Sequence, residues 1–189
     1  METPEFKTVG IVGAGAMGRG IAQIAAQAGS KVLLFDTQAD AVAKARESVA
    51  AQWDKLVEKG RIDAAAAAAQ KERLQPAATL ADLAPCDLIV EAIVERLDVK
   101  KGLFAELEGI VQTTAVLATN TSSLSVTAIA AGLKRPQQFA GFHFFNPVPL
   151  MKVVECIAGL KTDPAVCQRL GMYARQMGHT PVQAQDTPG

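Results

Sequence analysis

With 189 residues the chain has room for one domain with a sizeable core, and at 49% apolar with 19 basic against 19 acidic side chains it has the composition of a soluble globular protein. A neutral balance without a basic stripe argues against nucleic acid as a partner, and no apolar run is long enough to span a bilayer. The N-terminus lacks a signal-peptide pattern, and Cys86, Cys156 and Cys167 are scattered without metal-ligand spacing, so a cytoplasmic protein with reduced thiols and no bound metal is expected.

Residues 1–6 read as a flexible start and residues 7–189 as one folded domain. Val9 to Val12 is a β-branched run with strand character. It leads directly into Gly13, Gly15 and Gly18, the G-x-G-x-x-G spacing, and an apolar helix-compatible stretch follows through Ile21 and Ile24 to Gly29. The three glycines serve different ends. Gly13 permits the tight turn, Gly15 lets a pyrophosphate approach bare backbone, and Gly18 lets the helix pack close to the strand. Free N–H groups at the helix start, around Ala16 and Met17, would face the phosphates.

A second strand, Lys31 to Phe35, ends on Asp36, where a carboxylate can accept hydrogen bonds from an adenosine ribose. That carboxylate repels a 2′-phosphate, and Thr37-Gln38-Ala39 offers no arginine to hold one, so NAD is expected over NADP. Asp40 to Lys59 carries an amphipathic helical pattern, and Asp63 can cap a second helix from Ala64 to about Arg73. This helical hairpin either lies on the sheet or forms a lid over a bulky ligand, using cations such as Lys55, Lys59, Lys71 or Arg73.

Leu74-Gln75 reads as an edge strand ended by Pro76, and Asp87 to Ile93 as a buried parallel strand followed by a helix to about Val111. Ala115 to Asn120 is the next strand. At its end Asn120-Thr-Ser-Ser123 places four polar side chains where open α/β sheets bind ligands, with Ser123 as the ordinary candidate for capping a helix from Leu124 to about Leu133. Strands at Phe139 to Phe145, Met151 to Ile157 and Thr180 to Gln185, with a helix capped by Asp163 or Thr162 and running to about Met177, complete an α/β fold: a Rossmann-type, doubly wound, mainly parallel sheet with a helical-hairpin insertion after strand two.

Of the two histidines, His179 follows a helix end and reads as structural. His143 follows Gly141-Phe142 at a strand end, and Glu155 lies twelve positions on within an apolar segment. A carboxylate inside a strand core needs a partner. If the Asn146-Pro147-Val148-Pro149 turn brings the two segments side by side, Glu155 can hold one ring nitrogen of His143 and leave the other for substrate.

Behind the glycine fingerprint, Asn120-Thr-Ser-Ser-Leu124, Gly141-Phe-His-Phe-Phe-Asn-Pro-Val-Pro149 and Met151-Lys-Val-Val-Glu155 together resemble the L-3-hydroxyacyl-CoA dehydrogenases, from about Val9 to the last residue. The resemblance implies NAD-dependent oxidation of a (3S)-3-hydroxyacyl-CoA to the 3-oxoacyl-CoA, as in fatty acid β-oxidation, with an acyl-CoA thioester as substrate. It makes His143 the proton-transfer residue and Glu155 its partner, with Ser122 and Asn146 positioning the substrate oxygen and the histidine. Glu95, Lys100, Asn120 and Ser122 would line the nicotinamide–ribose part of the site, and the hairpin would lie beside the CoA moiety. The family continues past Asp-Thr-Pro-Gly189 into a helical domain that closes over the acyl chain and forms a homodimer. The chain is therefore expected to be the cofactor-binding half of a longer enzyme, inactive or weakly active by itself, with exposed apolar surface near its C-terminus. The alternatives are a dinucleotide-binding module without turnover, or a related β-hydroxyacid dehydrogenase acting on a small free acid.

Overall fold

Each inner strand of the computed structural model, which describes residues 2–186, divides its side chains between two separate apolar cores. Ile11, Leu34, Val90 and Ala118 point into one core, while their neighbours Val12, Leu33, Ile89 and Leu117 point into the other. A strand buried on both faces has no polar alternation, which is why these segments read as continuous apolar runs.

The strands are β1 (Thr8–Val12), β2 (Lys31–Phe35), β3 (Leu74–Pro76), β4 (Leu88–Glu91), β5 (Val116–Thr119), β6 (Phe139–Phe144), β7 (Val153–Ala158) and β8 (Thr180–Gln185). They form one sheet in the order β3-β2-β1-β4-β5-β6-β7-β8. All neighbours are parallel except β6 and β7, which run antiparallel with His143 opposite Glu155. The order reverses between β1 and β4, so a crevice opens beyond the carboxyl ends of those two strands.

The helices are α1 (Ala16–Gln27), α2 (Ala39–Glu58), α3 (Ala64–Arg73), α4 (Leu97–Ile110), α5 (Val126–Ala130) and α6 (Pro164–Gln176). The hairpin α2–α3 packs on α1: Trp53 is buried and donates Nε1–H to Gln27 Oε1 at 2.9 Å, and Arg73 donates to Ala26 O at 2.9 Å. Asp63 caps α3 by accepting from Ala66 N, as its position predicts. No helix of the described residues is long and apolar enough to cross a membrane, and none of their His, Cys, Asp and Glu side chains group into a metal-binding cluster.

Three expectations need correction. The segment before Lys7 is held down at Glu5 and Phe6. Phe6 is fully buried, edge-on to Tyr173 at 5.3 Å and beneath the Arg169 guanidinium at 4.4 Å, and Glu5 Oε1 accepts from Arg169 Nε at 2.8 Å. Burial of one phenylalanine stabilises by about 1.5–3 kcal/mol, enough to order a short arm that a lone apolar residue does not advertise. Second, α5 is short and starts at Val126, because Ser125, not Ser123, accepts from Ala128 N and caps it. Third, β4 ends at Glu91 rather than Ile93, where the Glu91 side chain turns back to accept from Ile93 N at 2.6 Å.

Exposed apolar surface near the C-terminus is present: Leu150, Met151, Val153 and Val182 are all exposed, the last two on the same face of β7 and β8 as Glu155. Thr187 to Gly189 lie outside the described residues.

Candidate active site

The β1–α1 turn shows why glycine stands at its three positions. Gly13 has φ +110°, which L side chains rarely adopt, and a Cβ at Gly18 would stand 1.7 Å from Gly13 O. A Cβ at Gly15 would meet no protein atom within 4 Å. Gly15 is therefore open toward the space in front of α1, whose start has no side-chain cap and no acidic residue in its first turn. An uncapped helix N-terminus facing open space is an anion site.

Asp36 lies beside this turn and shapes it. Its Oδ2 accepts from Ala14 N and its Oδ1 from Gln38 N, both at 2.9 Å. The carboxylate is thereby oriented and keeps acceptor capacity for a ligand's hydroxyls. Gly13, Gly15, Asp36 and Gln38 line one wall of a groove of about 840 Å³, with Ile93, Val94 and Val99 opposite. A second cavity, about 320 Å³, is lined by Met17, Glu95, Asn120, Ser122, His143 and Asn146. Ala92 and Ile93 belong to both linings, so the two spaces lie side by side across these residues. Free backbone donors, an oriented carboxylate and a long groove crossing the switch point together fit a dinucleotide.

His143 stands at the inner end of this path. Its Nδ1 is 2.7 Å from Glu155 Oε1, and the ring is mostly buried, tilted against Phe145 at 4.5 Å. A carboxylate only accepts, so Nδ1 carries the proton of this contact, and in the neutral ring Nε2 is the nitrogen left with the lone pair. Glu155 itself does not line the cavity; it acts behind the ring, at the paired register position on the antiparallel neighbour. His179 is buried elsewhere, with Nε2 3.0 Å from Val148 O and its ring edge-on to Phe144, so it supports the loop that follows Asn146. Gly20 completes that support: a Cβ there would lie 2.7 Å from Val148, so only glycine lets the loop rest on α1.

The four polar residues after β5 have separate roles. Asn120 Oδ1 accepts from Phe144 N at 2.8 Å and ties β5 to β6 beside His143. Thr121 Oγ1 and Ser123 Oγ both donate to Glu95 Oε2, at 2.7 and 3.0 Å. Among the described residues Ser122 makes no side-chain hydrogen bond, and it is exposed to the cavity. Hydrogen-bonded neighbours on both sides thus present a free hydroxyl.

Lys100 departs from its expected place. It is fully buried beneath Glu95 rather than on the cavity wall, with Nζ 2.7 Å from Glu95 Oε1 and 3.0 Å from Glu91 Oε2. Glu91, which the sequence pattern did not single out, is also fully buried, and it accepts from Thr119 Oγ1 at 2.6 Å. Its signal was available, since it is a carboxylate in an apolar strand, as Glu155 is. The two acids are pushed apart. Burial raises the Glu91 carboxyl above its ordinary range against the pull of Lys100 and Thr119. At Glu95 burial also opposes ionisation, but hydrogen bonds from Lys100, Thr121 and Ser123 outweigh it and hold the carboxyl below its ordinary range.

Comparison with known proteins places this arrangement. The sequence profile described as "3-hydroxyacyl-CoA dehydrogenase, NAD binding domain" matches residues 8–187. The 3-hydroxyadipyl-CoA dehydrogenase of Escherichia coli (strain K12) is 43% identical over 183 residues, which is 97% of this chain and 38% of that protein. The crystal structure of 3-hydroxybutyryl-CoA dehydrogenase from Escherichia coli K12 superposes with a TM-score of 0.95 at 43% identity, covering 97% of this chain and 39% of that one. That of (S)-3-hydroxybutyryl-CoA dehydrogenase from Ralstonia eutropha gives 0.93 at 38% identity, covering 97% and 65%. The chain thus spans between about two fifths and two thirds of the length of these relatives.

Proposed function

The chain belongs to the 3-hydroxyacyl-CoA dehydrogenase family, as its NAD-binding domain, and on that premise we propose that it holds NAD and supplies the proton-transfer pair for oxidising a (3S)-3-hydroxyacyl-CoA to the 3-oxoacyl-CoA. The observation that carries this reading is the His143–Glu155 contact of 2.7 Å at a cavity that shares Ala92 and Ile93 with the Gly15–Asp36 groove.

NAD, when bound, supplies a hydride acceptor at its nicotinamide. Gly13, Gly15, Ala16, Met17 and Gly18 would hold the pyrophosphate, Asp36 the adenosine ribose, and Glu95, Asn120 and Ser122 the inner end. His143 Nε2 takes the proton of the substrate's 3-hydroxyl. Glu155 fixes the tautomer and orientation of the ring and favours the imidazolium that forms. Ser122 and Asn146 flank the same space and orient the substrate oxygen. In the reverse direction the imidazolium returns the proton to the carbonyl oxygen. The acyl group arrives as a CoA thioester. Lys71 is paired with Asp54 at 2.6 Å and Arg73 is bonded to Ala26 O, so of the four cations named from the sequence Lys55 and Lys59 are the exposed pair open to the CoA phosphates.

The deciding experiment is NADH titration together with NADH-dependent reduction of acetoacetyl-CoA, for the wild type and His143→Gln. The expected result is unchanged NADH affinity and turnover reduced about 100- to 10,000-fold, the usual contribution of a general acid–base. Near-wild-type turnover in the variant would sink the assignment. NADH binding with no turnover by the wild-type chain would favour a nucleotide-binding module, and turnover of free 3-hydroxybutyrate in preference to the thioester would favour a small-acid dehydrogenase.

A further inference from the structure

Glu91 is a fully buried carboxylate at the switch point and has no part in the mechanism above. It is fully buried in the last position of β4, where a leucine would pack without any polar requirement. Its oxygens are nevertheless fully engaged. Oε1 accepts from Thr119 Oγ1 at 2.6 Å, Oε2 accepts from Ile93 N at 2.6 Å, and Oε2 lies 3.0 Å from Lys100 Nζ.

Two chains of contact leave this carboxylate, and both reach the junction of the groove and the inner cavity. One is direct. The Ile93 N–H bond fixes the backbone of the residue that lines both spaces. The other is a relay of charge. Lys100, itself fully buried, holds its ammonium 3.0 Å from Glu91 Oε2 and 2.7 Å from Glu95 Oε1. Glu95 Oε2 then receives the hydroxyls of Thr121 and Ser123, the residues on either side of Ser122. Without Glu91 the buried ammonium would have one half-exposed acid as its counter-charge. It would draw Glu95 inward, away from the Thr121 and Ser123 hydroxyls.

We infer that Glu91 is a positioning residue: acting through Lys100 and Glu95 on one side and Ile93 N on the other, it sets the shape of the site where the nicotinamide half of the dinucleotide is held. The inference rests on the NAD reading given above. It predicts a larger effect on the nicotinamide half of the ligand than on the adenosine half, because the Lys100–Glu95 relay ends at the Ser122 loop, whereas Asp36 is oriented by Ala14 N and Gln38 N.

The experiment measures the affinities of NADH and of ADP, which lacks the nicotinamide riboside, by calorimetry on the wild type, Glu91→Gln and Ser123→Ala. Glutamine keeps the size of the side chain but removes the charge and presents an amide to Lys100. Glu91→Gln should weaken NADH about tenfold, the scale of one lost charge-assisted contact, and leave ADP within about twofold. Ser123 is exposed, so its alanine variant tests the far end of the relay even if Glu91→Gln does not fold; a selective loss for NADH of about two- to fivefold is expected there. An unchanged NADH affinity in Ser123→Ala when Glu91→Gln is unfolded, or equal losses for NADH and ADP in a folded Glu91→Gln, would overturn the role. So would an unchanged NADH affinity in a folded Glu91→Gln. Failure of the wild type to bind NADH would instead overturn the NAD reading, and this inference with it.

Discussion

Gly15→Ala and Gly18→Ala add the same methyl group three residues apart, and the geometry predicts opposite consequences. At Gly18 the new Cβ would stand 1.7 Å from Gly13 O and 2.7 Å from the Gly13 carbonyl carbon. Both are backbone atoms, so no rotamer change relieves the clash, and α1 must move away from the β1 turn. Overpacking of this kind costs about 1–3 kcal/mol. For a domain of this size each kcal/mol moves Tm by about 2–4 °C, so Gly18→Ala should lower Tm by about 2–12 °C. At Gly15 the Cβ meets no protein atom within 4 Å, and φ −74° with ψ −168° suits any residue. Lost freedom in the unfolded chain favours alanine by about 0.4–1 kcal/mol. The poorer helix cap disfavours it by about 0.5–1 kcal/mol, so Tm should stay within about 4 °C of the wild type. That methyl, however, occupies the space the pyrophosphate enters in the proposed binding mode. NADH affinity should fall by at least about tenfold, or 1.4 kcal/mol. Thermal melts and NADH fluorescence titrations of both variants decide the matter. Wild-type affinity in Gly15→Ala, or an unchanged Tm in Gly18→Ala, would refute the geometry.

Two further outcomes follow from groups outside the cofactor path. Asp186 accepts from Ser125 Oγ, Val126 N and Thr127 N; burial opposes its ionisation, but these bonds prevail and hold its carboxyl below the ordinary range. A depressed carboxyl stabilises the fold above its unfolded pKa and ceases to do so as pH falls through the folded value. Asp186→Ala should therefore cost about 0.5–2 kcal/mol at neutral pH, and the gap to the wild type should close in acid melts below the usual carboxylate range. A gap that widens on acidification would contradict the sign. Burial pushes the Cys86 and Cys156 thiols up to about 12 and raises that of Cys167, and all three are buried. The native protein should show no rapid reaction with a thiol reagent at pH 8 and three thiols after denaturation. One fast thiol in the native state would show that one of these sites is open.

The elements most legible in the sequence were those whose signal is local. The glycine spacing and Asp36 announce a turn and its ligand class because the backbone conformation at Gly13 and the contact between Gly18 and Gly13 demand those residues within a few positions. Continuous apolar runs announce buried parallel strands, and Asp63 announces the start of α3. The arm at Glu5 and Phe6 was less legible, because its partners Tyr173, Arg169 and Gln176 lie more than 160 residues away.

What the sequence by itself determined is the kind of site: a strand–turn–helix for a dinucleotide, and a histidine followed by a carboxylate stranded in an apolar strand. Tertiary structure alone decided the assignments within it. The antiparallel register of β6 and β7 sets His143 opposite Glu155. The parallel pairing of β4 with β5 brings Glu91, Lys100 and Glu95 beneath the Ser122 loop. The reason is one of range. Backbone conformation and burial leave their mark on adjacent residues, whereas the partner of a buried charge is chosen by which strands the sheet makes neighbours.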